Sequence, residues 1–565
     1  MDYQNLFELM QQELGGDDTD ESDDGSDEDY QPSEASESTD SDCDLEIEST
    51  SSSDNETDVR RQAPDSYCSR DGTQWFKHPM SLARTPQRNI IRQLNGKVTN
   101  VNGDFQNPME AFSLYVCPEI VDDIVKWTNQ FAETKLGTQW KQTDGIEVTA
   151  LIGIWIIAGV THNNNQSTEM LWSTKYGLSQ VRSTMSRERF QHLMTYLRFD
   201  DKAERSQRQE RDKLAPIRKV FDTFNARLQR FYSPGAYLTV DEQLVPFRGR
   251  CGFKQYIPSK PDKYGLKIFW IVDAKTFYPL KAYPYIGKEA GRVQVGLGEK
   301  VVMDLARPYA RSGRNITMDN YFTSLNLALN LQKDQLTLVG TVRSNRTFVP
   351  AEFLPKRARE VESSIFGFRE TATMVSYVPK KSKAVILLST MHSSPDVIVD
   401  KNHKPEMILF YNETKGGVDS LDQLAHRYSV KRKTNRWPVV YFMNMVDIAA
   451  IAAYIIWLGK NPLWQNKQRT RRRHFLLELG EALTGPNIQR RMASNTREQL
   501  RCDFANAGYT AEVRTTSSEA SPPAKKRRCH SCPRSSDRKV KTCCTKCMKP
   551  TCPQHGRFVC HDCAQ

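Results

Sequence analysis

Apolar residues recur at intervals of three and four between about residues 90 and 235, which is the spacing of one face of a helix. The most apolar stretch predicts a buried helix, and another stretch begins at Ser186, a residue type that favours the position just before a helix. This part of the chain is therefore expected to be helical. The expected helices cover residues 108–127, 147–160, 186–198 and 216–232.

From about residue 236 the apolar spacing changes to two, which predicts half-buried β-strands. Strands are expected at 236–240, 263–272, 278–285, 315–318 and 336–342, with a helix at 324–333. Residues 346–405 break this pattern with basic residues, prolines and short β-like pieces, and we interpret them as an insertion. Helices are expected again at 417–428, 438–458 and 472–483. This order is typical of a mixed α/β core flanked by helices.

Charge is distributed unevenly along the 565 residues, whose formal net charge is +11. Residues 1–59 contain 22 Asp and Glu and no Lys or Arg, so the rest of the chain has a net charge of +33. Such a basic body favours a polyanionic partner, most simply nucleic acid, over a merely solvated basic surface. The acidic tail has few large apolar residues and is expected to be disordered, either as solvated chain or as a polyanion covering the basic body.

Neither secretion nor a membrane partner is expected. The first thirty residues are acidic and lack the apolar segment of a secretory signal. The longest apolar stretches, 151–160 and 448–458, are about half of the roughly 20 residues that span a membrane. Five of the 13 cysteines are scattered, as in a reducing compartment, whereas eight fall between Cys529 and Cys563, which suggests metal binding.

Four aspartates are candidates for catalysis. Asp241 and Asp319 each end an alternating run, while Asp419 and Asp422 lie three residues apart, on one face of a predicted helix. Carboxylates from neighbouring strands and a facing helix can hold two divalent ions about 3.5–4 Å apart for in-line attack on a phosphodiester. Because carboxylates prefer hard cations, we expect two Mg²⁺ at all four acids, with Mn²⁺ as a substitute.

The local sequence around these acids decides between two interpretations. A single Asp after a strand is usually a turn residue, and an acid near a helix N-terminus is explained by the helix dipole alone. However, Arg248 and Arg250 follow Asp241 and can bind phosphate. A matched pair of acids beside a basic segment also favours a functional site over a simple helix cap.

Long phrases of the chain, in order and at similar separations, resemble the piggyBac transposases from about residue 80 to the C-terminus. They are LTVDEQLVPFRGRC (238–251), YIPSKPDKYGLK (256–267), RNITMDNYFTS (314–324), GTVRSN (340–345), YNETKGGVDSLDQ (411–423) and KTNRWP (433–438). All four acids lie within these phrases. Their presence favours an active transposase over a domesticated, non-catalytic DNA- or chromatin-binding derivative.

The resemblance implies an α/β ribonuclease-H-like catalytic core with an insertion domain and a flanking α-helical dimerisation and DNA-binding domain. It implies an acidic triad of Asp241, Asp319 and Asp419, with Asp422 as a fourth acid. The implied activity is cut-and-paste transposition at TTAA targets. Transposon ends are nicked, hairpins form and reopen, 3′-hydroxyls are joined to target DNA, and the donor site is restored without a footprint. The implied partners are transposon-end DNA, TTAA target DNA and further copies of the chain, as a homodimer or higher oligomer.

The expected domains follow from the patterns and the resemblance together. They are a disordered acidic tail (1–85), a helical dimerisation and DNA-binding domain (86–235 and 429–505), a catalytic core (236–345 and 406–428), an insertion domain (346–405), a linker (506–528) and a cysteine-rich domain (529–565). The linker ends in a basic run, Lys525, Lys526, Arg527 and Arg528, which is typical of a nuclear localisation signal. We therefore expect a nuclear protein that binds the import machinery, although this run could also contact phosphate.

Two further basic stretches are candidates for DNA contact. The first contains Lys431, Arg432, Lys433, Arg436 and Trp437. It suits a DNA backbone and an unpaired base, or else forms a surface loop that the tryptophan anchors to the core. The second contains Arg471, Arg472 and Arg473. It suits phosphate contact, or else forms a charged helix face.

The cysteine-rich segment contains four pairs of candidate metal ligands with two residues between the members of each pair. They are Cys529 and Cys532, Cys544 and Cys547, Cys552 and His555, and Cys560 and Cys563. Eight ligands make two tetrahedral, structural Zn²⁺ sites, and the alternation suggests a cross-brace in which pairs one and three share one ion. So short a segment has too little core to fold without metal. Cys543 could replace Cys544, and His530 or His561 could replace another ligand.

The resemblance identifies this segment as a cysteine-rich domain that binds transposon-end DNA. A ubiquitin-ligase module of the RING type is the alternative. That alternative requires an exposed apolar groove, whereas the loop 533–542 is mostly basic and polar.

Overall fold

The computed structural model describes residues 3–15, 65–79, 96–101, 103–258, 260–287, 296–494, 498–509, 527–545, 547 and 549–556. The chain divides into two compact units. The first comprises residues 1–123 and 199–476, and the second comprises residues 124–198 and 477–565.

The strands of the described residues have the following bounds. They are β1 (Ser66–Cys68), β2 (Gln74–Phe76), β3 (Lys97–Val98), β4 (Tyr232–Ser233), β5 (Tyr237–Pro246), β6 (Gln255–Tyr256), β7 (Tyr264–Asp273), β8 (Pro279–Pro284), β9 (Asn315–Met318), β10 (Thr337–Thr341), β11 (Ser364–Phe368), β12 (Thr373–Lys380), β13 (Lys383–Ser389), β14 (Val397–Ile398), β15 (Lys404–Pro405), β16 (Arg527–Arg528) and β17 (Lys539–Val540).

The helices of the same residues are α1 (Tyr3–Gly15), α2 (Pro108–Ser113), α3 (Pro118–Leu136), α4 (Gly145–Val160), α5 (Thr168–Leu171), α6 (Ser179–Thr184), α7 (Arg187–Tyr196), α8 (Arg205–Arg211), α9 (Arg218–Arg230), α10 (Leu297–Ala306), α11 (Leu325–Lys333), α12 (Glu406–Thr414), α13 (Gly417–Arg427), α14 (Trp437–Lys460), α15 (Arg471–Ser494) and α16 (Glu498–Asn506). The helix expected at 108–127 is two helices, because Pro118 starts α3 anew.

A large mixed sheet forms the centre of the first unit. Its strands run in the order β1-β2-β11-β12-β13-β10-β9-β5-β7-β6, and β8 also pairs with β7. The strands β5, β9 and β10 are parallel neighbours, while β5, β7 and β8 pair antiparallel. Every residue of β9 and β10 is buried, as is usual for central parallel strands. The strands expected from the period-two pattern are confirmed, with ends that differ by a few residues.

Most strands of residues 346–405 belong to the central sheet, and β14 and β15 pair with each other outside it. The strands β11, β12 and β13 continue the same sheet, because β13 pairs antiparallel with β10 along Val339–Thr341. The expected insertion therefore contributes directly to the central sheet. Its short apolar runs extend a sheet whose β10 edge would otherwise be unpaired.

Helix α14 is the main apolar helix of the first unit. It has 24 residues and is long and apolar enough to cross a membrane, but its most apolar window is entirely buried within the protein. Residues Val439 to Leu458 are all buried, as expected for a core helix that is apolar on every side. This helix is longer than the expected 438–458, and it packs against β5, α9 and α13.

The expectation that residues 1–85 are disordered is wrong for two described pieces. Helix α1 buries Leu6 and Met10, and β1 and β2 join the edge of the sheet. The Tyr3 hydroxyl donates to Asp273 Oδ1 over 2.7 Å, and its ring lies so close to Gly235 that an added Cβ there would overlap it. Apolar residues four apart bury one helix face, a local signal that the acidic composition of the whole tail conceals.

The second unit is helical in the part built from α4 to α7. Helix α4 is almost wholly buried, and its Glu147 pairs with Arg189 over 2.6 Å. Ser186 caps α7 by accepting from the Arg189 backbone N–H, as expected. This unit is shorter than the expected helical domain, since residues 199–235 and 429–476 belong to the first unit.

Candidate functional site

Two of the candidate acids project from neighbouring parallel strands. The parallel pairing of β5 with β9 ends where Val240 lies opposite Met318. Asp241 and Asp319 are the residues that follow this last pair on the two neighbouring strands. Asp241 does not end its strand, contrary to the prediction, because β5 continues to Pro246 in antiparallel pairing with β7. The two acids still mark the point where the parallel pair separates, which is where a sheet opens a cleft.

Helix α13 brings Asp419 to the same place. A Cβ on Gly417 would lie 2.6 Å from Thr239 Oγ1 and 2.8 Å from a Val272 methyl, so only glycine lets the helix start against the sheet. The Thr239 hydroxyl donates to the Thr414 carbonyl over 2.6 Å and fixes the chain before the helix. Asp419 is exposed, and Asp241 and Asp319 are partly exposed, so all three carboxylates can be reached from solvent.

The acids raise one another's proton affinity. Burial raises the pKa of Asp241 well above its usual value, and the charges of Glu242, Asp319 and Asp419 raise it further. Burial and the charge of Glu242 raise the pKa of Asp319 to about 6. The charges of these acids act on one another, although no three of the described acids have oxygens within 4.8 Å of one another, and bound cations would relieve the repulsion.

Glu242 is a site residue that the sequence analysis missed. Its backbone N–H donates to Asp241 Oδ1 over 2.8 Å, and its charge acts on both Asp241 and Asp319. Burial raises its pKa, but the charge of Lys267, the hydrogen bond with Asp241 and the charge of Lys260 lower it overall. Its place directly after Asp241 was a signal, although successive residues of a strand face opposite sides of the sheet.

Asp422 lies three residues after Asp419 on helix α13 and has different partners. Gln243 follows Asp241 on the same face of β5, and its Nε2 donates to Asp422 Oδ1 over 2.7 Å. Gln243 Oε1 accepts from Trp270 Nε1 and Asn444 Nδ2, each over 3.0 Å. Asp422 also accepts a hydrogen bond from His426, and this hydrogen bond raises the pKa of His426 to about 9. Asp422 is thus fixed by a polar network beside the other three acids.

Two basic stretches expected to contact DNA adjoin each other in the first unit. Arg248, Arg250 and Lys433 are exposed. A Cβ on Gly249 would lie 2.9 Å from the Asn435 carbonyl, so the two loops touch. Trp437 packs edge-on against Phe253 with 5.0 Å between ring centres, which agrees with its anchoring role. Lys431, Arg436 and Trp437 are partly buried.

Three other predicted DNA contacts need correction, because Arg432, Arg471 and Arg472 are buried. Arg472 Nη2 donates to the Leu424 carbonyl over 2.7 Å, and its backbone N–H donates to Glu13 at the start of α15. Arg471 Nη2 donates to the Pro462 carbonyl over 3.3 Å. The Arg471 and Arg472 guanidiniums bind protein carbonyls, which a count of basic residues cannot reveal, whereas Arg473 is exposed.

A second cluster lies in the cysteine-rich segment. Cys529, Cys532, Cys552 and His555 are the one group of three or more Cys, His, Asp or Glu, among the described residues, whose ligand atoms all lie within 4.8 Å of one another. The Cys532 and Cys552 sulfurs are 3.7 Å apart, and His555 Nδ1 is 3.1 Å from Cys552 Sγ and 3.5 Å from Cys532 Sγ. Zn–S bonds of about 2.3 Å in a tetrahedron place two sulfurs roughly 3.8 Å apart, so these residues fit zinc.

The chemistry of this cluster also suits a metal. Burial raises the pKa of Cys552, but hydrogen bonds from His555 and from the Gln554 backbone lower it to about 6. A thiol with a lowered pKa supplies the thiolate that binds metal at neutral pH. The structure therefore brings together pairs one and three of the expected cross-brace.

The other expected ligands are described in part. Cys544 and Cys547 are buried, and the Cys547 N–H points at Cys544 Sγ over 3.5 Å, whereas Cys543 is exposed. His530 lies 3.0 Å from Lys549 Nζ and outside the first cluster. Cys560, Cys563 and His561 lie outside the described residues, as do Lys525 and Lys526. Arg527 and Arg528 form β16, which pairs with β17.

Comparison with known proteins assigns the family. Residues 107–454 match a family model described as Transposase IS4. A cryo-EM structure of the piggyBac transposase synaptic complex with hairpin DNA is 37% identical, with a TM-score of 0.73, and the match covers 83% of this chain and 99% of that chain. The chain belongs to the piggyBac family of transposases. The resemblance noted in the sequence is thereby confirmed.

Two human members of the piggyBac family are also similar. The human PiggyBac transposable element-derived protein 3 is 26% identical over 383 residues, which cover 63% of each chain. The human PiggyBac transposable element-derived protein 2 is 25% identical over 368 residues, which cover 61% of this chain and 60% of that protein. The match thus spans less than two thirds of the length of these curated relatives.

Proposed function

We propose that this protein is an active, metal-dependent DNA transposase of piggyBac type, which excises its element and inserts it at TTAA sites. The observation that carries this proposal is the convergence of Asp241, Asp319 and Asp419 from two strands and one helix at an open cleft. The order of three antiparallel strands next to two parallel ones, β8-β7-β5-β9-β10, supports a ribonuclease-H-like core.

The acids fit hard divalent cations. Their donors are carboxylate oxygens alone, which suit Mg²⁺ and its substitute Mn²⁺. Two such ions, when bound, activate the attacking oxygen and stabilise the leaving oxygen of an in-line displacement. Asp241, Asp319 and Asp419 would hold them, and Asp422, fixed by Gln243, would orient the first turn of α13 as a fourth acid.

The basic surface beside the cleft would position DNA. Arg248 and Arg250 are exposed on the loop that follows β5, and Lys433 adjoins them. Contacts of this kind bind phosphate without reading sequence, so recognition of transposon ends needs another element. We assign that recognition to the cysteine-rich domain, folded around two structural Zn²⁺, and we propose that the enzyme acts as a dimer or higher oligomer in the nucleus.

The test is cleavage of a duplex that carries the native transposon end flanked by TTAA, with Mg²⁺ and purified full-length protein. The wild type should produce nicks and hairpins. Cleavage should be at least about a thousandfold slower in each of the variants Asp241→Asn, Asp319→Asn and Asp419→Asn, because each variant loses an interaction that stabilises the transition state. Asp400→Asn is the matched control, because this aspartate is exposed in a short 3-10 helix outside the strands and the helix that carry the candidate acids. A duplex in which TTAA is changed should no longer be cleaved or joined.

A second candidate function is supported by the names of the two human relatives, which describe proteins derived from a transposable element. This chain would then bind transposon-like ends without cutting them. Tight binding of the correct ends with no cleavage by the wild type, in Mg²⁺ or Mn²⁺, would establish that alternative and contradict the proposal.

A further inference from the structure

A lysine lies among the candidate metal ligands. Lys260 Nζ is 3.1 Å from Asp419 Oδ1, on the loop between β6 and β7. The Lys260 side chain is 23% exposed, whereas that of its partner is 64% exposed, so the cation is the more enclosed member of the pair. Burial lowers the pKa of Lys260, but the charges of Asp419, Asp241 and Glu242 raise it overall. One ammonium group is therefore shared by acids from β5 and α13.

This arrangement differs from an ordinary surface ion pair. Exposed pairs contribute little, because water screens them and long side chains lose entropy. Here the chain on both sides of Lys260 is stiffened by Pro258 and Pro261, whose backbone φ is fixed. A second cation, Lys267, lowers the pKa of Glu242 and of Asp319 through its positive charge. Lys260 is thus a cation that donates a hydrogen bond directly to Asp419.

We propose that Lys260 occupies the cation position at Asp419 in the metal-free protein, and that it moves to a non-bridging oxygen of the scissile phosphodiester once divalent ions and DNA are bound. The inference rests on the proposed function. A divalent ion bound at Asp419 Oδ1 would repel the Lys260 ammonium, which lies 3.1 Å from that oxygen, and this repulsion favours the departure of Lys260 when Asp419 binds metal. The nearest new anion in the cleft is then the phosphodiester itself, which would make Lys260 a catalytic residue.

The first test measures metal binding without DNA. Mg²⁺ and Mn²⁺ are titrated into full-length wild type, Lys260→Met and Lys263→Met by calorimetry. Lys263 is an exposed lysine of the same loop and serves as the control. Loss of the competing ammonium should lower the Kd of Lys260→Met about three- to tenfold, up to about 1.4 kcal/mol. An unchanged or weaker affinity would overturn the proposal.

The second test measures single-turnover cleavage at saturating Mg²⁺. Lys260→Met should cut at least about tenfold more slowly than the wild type with unchanged DNA binding, and Lys260→Arg should recover part of the rate. Cleavage at the wild-type rate would refute the phosphate contact and leave Lys260 as a competitor only. If the wild type neither binds divalent ions nor cuts, the proposed function fails, a result that differs from either outcome for Lys260.

Discussion

In the first unit the candidate acids lie on the ten-residue strand β5, directly after the four-residue strand β9 and on helix α13, and the apolar residues of these elements are mostly buried. The cysteine cluster of the second unit, in contrast, lies beside strands of only two residues. The acids repel one another, and the fold holds them together. In the cysteine-rich segment, Cys529, Cys544, Cys547 and Cys552 are buried, while Cys532 and His555 are half-buried. In the first unit the fold holds the residues of the cation site in place, whereas in the cysteine-rich segment the bound cation would stabilise the fold.

This difference has energetic consequences of opposite sign. Removing charge from the acidic cluster should stabilise the first unit, because crowded carboxylates oppose folding. Removing a ligand from the cysteine cluster should destabilise its segment, because binding of a structural metal is itself folding free energy. Three predictions test this contrast, and they are ordered by the size of the expected effect.

The largest effect is expected on removal of zinc. Chelation, or Cys552→Ser, should unfold residues 527–556, since structural zinc contributes about 10–16 kcal/mol in small zinc-binding peptides. The buried helix α14 of the first unit should keep its protection. Hydrogen exchange of the full-length protein, followed by mass spectrometry, measures both regions in one experiment.

The matched control for the zinc prediction is Cys543→Ser. Cys543 is exposed and adjacent to the buried Cys544, so its replacement should leave the segment protected. If residues 527–556 stay protected after complete chelation, the segment has a core of its own and the contrast between the two regions disappears.

An intermediate effect is expected for Asp241→Asn. Because the fold raises the pKa of Asp241, its ionised form destabilises the protein at neutral pH. Asparagine keeps the shape without the charge, and should raise the free energy of unfolding by about 1–3 kcal/mol in EDTA. The wild type should instead gain about 2.7 kcal/mol when Mg²⁺ reaches a hundred times its Kd, and the variant should lose most of this gain.

Denaturant unfolding with and without Mg²⁺ measures these changes, and Asp400→Asn is again the control. If the variant is less stable than the wild type in EDTA, the Asp241 carboxylate makes net favourable contacts in the folded protein. Repulsion among the acids would then not destabilise the first unit.

The sequence predicted the parts of both sites that depend on local spacing. The alternating pattern predicted that Asp241 and Asp319 lie at neighbouring strands. The spacing of the paired cysteines predicted that the first and third pairs form one cluster. Contacts between distant segments were not predictable in this way. Lys260 reaches Asp419 across 159 positions, and Arg472 reaches Leu424 across 48. Nor could composition separate a guanidinium that binds a protein carbonyl from one that faces DNA.

The smallest effect is a difference in pH dependence between the two regions. Asp447 of α14 is fully buried and accepts from the Val430 N–H and the Ser429 hydroxyl, each over 2.9 Å. Burial raises its pKa from 3.8 to about 7. Its folded form thus binds a proton that the unfolded chain releases, so stability from this group is present below about pH 4 and is lost as pH rises to about 7. The cysteine cluster has the opposite sign, since acid protonates its ligands and weakens metal binding.

Comparison of the wild type with Asp447→Asn isolates this group from other titrations. The free energy of unfolding of the first unit, measured between pH 5 and pH 9, should fall more steeply for the wild type by up to about 1.4 kcal/mol per pH unit below pH 7. Above pH 7.5 the two slopes should be equal. Parallel slopes throughout would mean that Asp447 is ionised in the folded protein at pH 5, with Arg472 and His426 as its counter-ions, and the first unit would then share the acid sensitivity of the second.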